Sequence, residues 1–328
     1  MREFVRGATW WAADGRPVRA DPVDRDLMPA DTWERAQLPA GVRLEFRAHD
    51  AAAVEIVYEG LEPTEADALR TVPSVFAVVG GVDVAALAGA HTARVPLPHR
   101  DGVFTVQLPE GLRPLIHDVR PVGGGTLEPV EPSPRWLVYG DSIVEGWVAS
   151  RPQFAWPAVV RRTLGVEDVN LGYAGAARGE RVSARHLAAL DAELLTVAFG
   201  TNCWARTPHS AQQLYETTRV FLATVRTGHP DLPLLVVSPV IRPDAEETPN
   251  ELGATLGQLR DAVERAARDA AQAGDRRLRL LPGRPLLGPE HLVDGVHPGD
   301  RGHLLIARAV AENLTEWNKS GGAWETPL

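Results

Sequence analysis

The chain has 328 residues, 44% of them hydrophobic, which is enough for two cores. Its net charge of -9 and pI of about 5.6 argue against a nucleic-acid or membrane partner. The single cysteine, Cys203, excludes an internal disulfide framework, and neither an apolar signal-peptide run nor a transmembrane-length apolar stretch is visible, so a soluble, cytoplasmic protein is expected.

Residues 1–125 read as all-β. Val42, Leu44 and Phe46 alternate with Arg43, Glu45 and Arg47, the pattern of a half-buried strand. Val54 to Tyr58, Ser74 to Val79, Thr92 to Leu97 and Val103 to Leu108 are further strands, separated by short turn-rich segments. That spacing predicts a β-sandwich of jelly-roll type. Trp10, Trp11 and Trp33 suit either a sugar-stacking platform or plain packing, and packing is the commoner use of tryptophan.

Residues 126–134 form the expected linker. Gly123-Gly124-Gly125 before it reads as flexible, whereas Pro129, Pro132 and Pro134 stiffen the linker itself. The glycines lack dinucleotide-loop spacing. If the sandwich is independent, a chain beginning near Glu131 should fold alone.

Residues 135–328 alternate strand and helix. Strands are expected at Arg135 to Tyr139, Asp168 to Leu171, Leu194 to Phe199, Leu234 to Ser238 and Arg277 to Leu281. Helices are expected at Phe154 to Leu164, Ser210 to Arg226 and around Leu304 to Leu314. Another is predicted to start at a capping box, Thr248-Pro249-Asn250-Glu251, with Leu252, Leu256, Leu259, Val263 and Ala267 as its apolar stripe and Gly274 as its end. This alternation predicts a parallel sheet covered on both faces.

The chemistry centres on Tyr139-Gly140-Asp141-Ser142, where a buried strand breaks into a turn. Ligands bind at the carboxyl edge of such sheets, so Ser142 is a candidate nucleophile, although serine there can also be a helix N-cap. Three later stretches supply partners: Gly172-Tyr173-Ala174-Gly175, Gly200-Thr201-Asn202 and Asp294-Gly295-Val296-His297-Pro298. In Asp294-x-x-His297 the carboxylate can orient the imidazole, which then takes the serine proton. Asp300-x-x-His303 repeats that spacing. His303 precedes an apolar helical run, whereas His297 precedes proline, which disfavours helix and leaves it in a loop. His297 is therefore the expected base.

Taken in order, these blocks resemble the SGNH (GDSL-type) serine hydrolases over about residues 133 to 318. Ile143 stands where the eponymous motif has leucine, and Cys203 stands where many members have aspartate. The resemblance implies a flavodoxin-like α/β/α domain and a Ser142, His297, Asp294 triad. It also implies an oxyanion hole from the N–H groups of Ser142 and Gly175 and the Asn202 amide. Gly172 is the competing glycine; Ala174-Gly175-Ala176 is the better match. Gly175 also reads as a turn glycine, and Asn202 as an Asx-turn residue. Trp147 and Trp204 are candidates for the substrate pocket, against plain loop packing.

The function so implied is ester hydrolysis through an acyl-serine, on a small-molecule ester and with no cofactor. No zinc-ligand spacing or Walker loop is present. An alternative is acyl transfer to a hydroxyl of a sugar or natural product, since the layout also resembles carbohydrate esterases and actinobacterial acyltransferases. A reading of another class is a carbohydrate-binding protein with a vestigial hydrolase domain.

Overall fold

The computed structural model describes residues 1–64 and 74–319. Its first eleven strands are β1 (Val5–Arg6), β2 (Trp10–Trp11), β3 (Pro17–Val18), β4 (Arg43–His49), β5 (Ala53–Gly60), β6 (Val75–Val78), β7 (Val84–Ala85), β8 (Gly89–Pro96), β9 (Gly102–Gln107), β10 (Leu115–Val122) and β11 (Thr126–Pro129). Alternation does what the sequence predicts. Leu44, Phe46 and Ala48 in β4, and Val54, Ile56 and Tyr58 in β5, turn inward and are buried. Antiparallel pairing makes one sheet ordered β1-β4-β9-β6-β7, with β11 added on β4, and a second ordered β10-β5-β8. A shared core of Phe46, Ile56, Phe76, Val95 and Val106 fills the space between them.

Two details depart from the expected N-terminal region. Helix α1 (Ala30–Ala36) and a 3-10 turn at Pro22–Leu27 interrupt the all-β reading. Seven residues are too few to show a helical period, and such a helix is held by tertiary packing. Ala20, Met28 and Ala36 are buried in the core of the following α/β unit, not in the sandwich. The glycine triplet is not a flexible spacer either. Gly123, Gly124 and Gly125 all have positive φ and turn β10 into β11. A Cβ on Gly125 would lie 1.9 Å from the His49 carbonyl oxygen, so only glycine fits.

The second unit contains β12 (Arg135–Gly140), α2 (Ser142–Glu145), α3 (Trp156–Leu164), β13 (Glu167–Gly172), α4 (Arg181–Ala189), β14 (Leu194–Ala198), α5 (Asn202–Ala205), α6 (Ala211–Gly228), β15 (Leu234–Val237), α7 (Leu256–Gln272), β16 (Leu278–Leu281) and α8 (Asp300–Lys319). Its strands form one parallel sheet ordered β13-β12-β14-β15-β16. Counted within the unit this is 2-1-3-4-5, the flavodoxin-like order. Successive residues of β12 face opposite layers: Trp136 and Val138 enter one core, Leu137 and Tyr139 the other. Both faces are thus covered, as the unbroken apolar run predicts.

Helix α7 starts later than its first proline suggests. Thr255 is the N-cap, and its side chain and that of Gln258 form the capping box, whereas Thr248 to Glu251 lie in a loop. Asn250 stabilises that loop by accepting from the N–H groups of Leu252 and Ala254, so Leu252 is exposed rather than part of the stripe. Among the described residues no helix is long and apolar enough to cross a membrane.

Candidate active site

Strand β12 pairs with β13 and β14 in a register that sets Gly140 opposite both Gly172 and Ala198. Three strands therefore end level, at the point where strand order reverses. Close packing shapes this edge. A Cβ on Gly140 would come 2.1 Å from the Ala198 carbonyl oxygen, and one on Gly172 would come 2.3 Å from the Glu145 nitrogen. Helix α2 consequently lies directly on the end of β13. Asp141 is its N-cap, accepting from the Ile143 N–H at 3.0 Å, and Ser142 is its first residue. As a first-turn residue, Ser142 has a backbone N–H with no partner inside the helix.

Burial pushes the Asp141 carboxyl up to about 6, against the hydrogen bonds from the Ile143 and Asp141 N–H groups. A small cavity behind the turn is lined by Asp141, Val144, Trp156, Phe199 and Ile306.

His297 reaches Ser142 from the loop before α8. Its Nε2 lies 2.9 Å from Ser142 Oγ, and its Nδ1 lies 2.7 Å from Asp294 Oδ2. Gly295, at φ +80°, turns the chain so that Asp294 Oδ1 also accepts the N–H groups of Val296 and His297. Partial burial raises the Asp294 carboxyl, but these hydrogen bonds and the neighbouring imidazole outweigh it and hold it below its ordinary value. A charged Asp294 fixes the Nδ1–H tautomer of His297 and leaves Nε2 as an acceptor for the Ser142 hydroxyl.

The second Asp-x-x-His pair is built differently. Asp300 accepts from the N–H and hydroxyl of Ser150 at 2.8 and 2.7 Å. His303 is fully buried, its Nδ1 accepting from the Trp156 N–H and its Nε2 facing the Trp147 carbonyl, both at 3.3 Å. Burial lowers its pKa to about 4, so the ring is neutral. This pair holds the Trp147 to Ser150 loop rather than Ser142. In that loop Val148 has φ +68°, an uncommon conformation for a β-branched residue.

The glycine alternatives also separate. Gly172 donates its N–H to the Asn170 side chain at 2.9 Å. Gly175 has φ +69°, and its N–H has no hydrogen-bond partner among the described residues. The exposed Arg206 guanidinium lies beside it; an added Cβ would be 3.5 Å from Nε. Asn202 begins α5 at the end of β14 and donates one amide hydrogen to the Ala177 carbonyl at 3.1 Å, leaving its second.

Trp147 lies against His297, ring centroids 5.7 Å apart. Trp204 instead bonds the Thr248 carbonyl and lies beneath Arg242. Cys203 is buried, and burial raises its thiol far above the ordinary range, which removes it as a nucleophile. Of the N-terminal tryptophans, Trp10 and Trp33 pack against the α/β core. Glu145 stands out in the structure but in no sequence motif: it is a carboxylate in the apolar run Ile143 to Trp147 with a fully buried side chain. A lone acid in such a run is the one local sign of its burial.

A parallel 2-1-3-4-5 sheet, a serine on the turn after its first strand and an Asp-x-x-His loop behind it define an α/β/α hydrolase fold of SGNH type, preceded here by a β-sandwich. A model of the GDSL-like lipase/acylhydrolase family matches residues 134–315, and the chain belongs to that ester-acting family. Among solved structures it is similar to the salicylyl-acyltransferase SsfX3 from a tetracycline biosynthetic pathway, at 26% identity and TM-score 0.83 over 96% of this chain and 94% of that one. A putative GDSL-like lipase from Bacteroides ovatus shares the fold at 20% identity and TM-score 0.77, covering 96% of this chain and 94% of its own. A family two carbohydrate esterase from Clostridium thermocellum does so at 15% identity and TM-score 0.65, covering 86% and 93%. No curated protein matches the sequence.

Proposed function

We propose that the protein is a serine esterase that transfers the acyl group of a small ester to Ser142 and then to water. The observation that carries this reading is the chain of hydrogen bonds from Ser142 Oγ through His297 to Asp294 at the sheet's switch point. As Ser142 Oγ attacks the ester carbonyl, His297 Nε2 takes its proton, and Asp294 stabilises the imidazolium that forms. The carbonyl oxygen becomes an oxyanion, met by the N–H groups of Ser142 and Gly175 and the remaining amide hydrogen of Asn202. Donors of this kind are each worth about 10²–10³ in rate, because they act where charge develops. Collapse of the tetrahedral intermediate breaks the ester C–O bond, and His297 protonates the leaving alcohol. Water then repeats the sequence on the acyl-serine and frees the acid. Trp147, against His297, lines the substrate side of this site.

A second reading, transfer of the acyl group to an alcohol of a sugar or natural product, is favoured by the likeness to SsfX3, which extends over both units of the chain. The chemistry up to the acyl-serine is the same; only the acceptor differs. The test is turnover of p-nitrophenyl acetate by the full chain and by Ser142→Ala, followed by a panel of acyl esters with and without alcohol acceptors, products being identified by mass. Serine-dependent release of acid supports the esterase, and a new ester that outgrows the acid supports transfer. Turnover absent in both proteins on every ester would point to a binding protein with a vestigial hydrolase unit.

A further inference from the structure

The segment between β1 and β4 of the sandwich reaches the chemistry. Arg19, between β3 and α1, is 1% exposed and lies at the back of the site. Its Nη2 bonds Glu145 Oε2 at 3.3 Å and the Arg35 carbonyl at 2.6 Å. Its Nη1 bonds the Gly172 carbonyl at the end of β13, and its Nε bonds the Leu38 carbonyl. Glu145 stands three residues after Ser142 on α2. Its Oε1 accepts from Arg35 at 2.8 Å, and its Oε2 accepts the Ala174 N–H at 3.0 Å. Ala174 directly precedes Gly175. Tyr173, in the same loop, donates its hydroxyl to the Arg19 carbonyl at 2.6 Å.

Two pieces of backbone must hold a fixed distance for the proposed reaction: the turn that carries Ser142 and the loop that carries the Gly175 N–H. Glu145 and Ala174 join them directly, and Arg19 joins them again, from Glu145 to Gly172. We propose that Arg19 is a positioning residue for acyl transfer, tying the nucleophile turn to the oxyanion loop from outside the α/β unit. This rests on the acyl-serine reading above. The guanidinium suits the task because its planar fork meets several fixed oxygens at once, which an ammonium on a flexible stem cannot do. Arg35 shares the load, with its guanidinium also 5.2 Å from the Trp147 ring. Oxyanion donors act only when preorganised, so a loosened tie lowers the rates of both acylation and deacylation while leaving binding of the neutral ester intact.

The test uses the full chain, with Arg19→Lys, Tyr173→Phe and Ser142→Ala assayed on p-nitrophenyl acetate, and folding followed by circular dichroism and thermal melting. In folded Arg19→Lys, kcat should fall by about 10–10²-fold with KM within about threefold, as for a lost transition-state contact. Tyr173→Phe, which removes one hydroxyl, should lower kcat severalfold in the same sense and decides the matter if Arg19→Lys does not fold. Wild-type kcat in whichever of these variants folds, or a rise in KM alone, overturns the proposal. Failure of the underlying reading looks different: Ser142→Ala would then keep its turnover, whatever Arg19 does.

Discussion

Ser142 Oγ and His297 Nε2 lie 2.9 Å apart although 155 positions separate them in the chain. The serine is set by a strand end and a short helix, the histidine by a turn that also positions its own carboxylate partner. Two independent local structures thus meet at one sheet edge, and each can be tested alone.

His297→Ala should lower ester turnover by about 10³-fold or more, since members of such a hydrogen-bonded unit act together. His303→Ala should act mainly on stability. It leaves the Trp156 N–H and Trp147 carbonyl without their buried partner, a loss of about 1–3 kcal/mol. Thermal melts and steady-state assays of the two purified variants check this. Loss of turnover in His303→Ala alone would move the base assignment.

Gly172 at the end of β13 and Gly175 in the loop after it should fail in different ways. At Gly175 an alanine meets only ordinary contact with Arg206 but must adopt φ +69°, a conformation costing about 1–2 kcal/mol. Gly175→Ala should therefore stay folded and lose kcat. At Gly172 a Cβ runs into the backbone of α2, so Gly172→Ala should lose both fold and activity. Melting temperatures and kcat measured side by side separate these outcomes; a stable, active Gly172→Ala would contradict the packing argument.

Asp141 and His303 give opposing pH dependences. The Asp141 carboxyl, raised by burial to about 6, favours the fold below pH about 4 and loses that contribution as pH rises through 6. His303, lowered by burial to about 4, favours the fold above pH about 6.5 and loses it as pH falls toward 4. Asp141→Asn keeps an oxygen for the Ile143 N–H and removes the first effect only. It should be more stable than wild type at pH 7 by on the order of 1–3 kcal/mol, with the gain gone by pH 4. Denaturant unfolding at pH 4, 5.5 and 7 reads this directly, and a gain that persists at pH 4 would show that another cause is at work.

A chain beginning near Glu131 should not fold, contrary to what the linker composition suggests. It would lack Arg19 and Arg35, two guanidinium partners of the buried Glu145 carboxylate, and Arg43, which bonds Asp168 at 2.8 Å where both are buried. Removing one partner of such a pair typically costs about 3–5 kcal/mol, against a typical domain stability of about 5–15 kcal/mol. Ala20, Met28 and Ala36 would also leave the α/β core. A soluble monomer with a cooperative melt would refute this.

What the sequence determined by itself is local and periodic. Alternation in Val42 to Phe46, the apolar run before Gly140 and the Pro298 that keeps His297 out of helix each depend on neighbours within a few residues. The five strands of the parallel sheet were legible for that reason. The blocks around Ser142 and His297, whose side chains the structure brings together, were legible too, because turn chemistry at a strand end uses adjacent residues.

What only the tertiary structure decided is the set of partners that chain proximity does not encode. Spacing treats Asp294-His297 and Asp300-His303 alike, and only packing puts the second pair on Ser150, Trp147 and Trp156. Gly123 to Gly125 look flexible in composition but form a fixed turn, because a strand returns there to pair with β4. Arg19, Arg35 and Glu145 are ordinary surface residues by type, and a charge joins a buried cluster only when distant chain brings its counter-charge. Their meeting is a long-range event, and no window of sequence contains it.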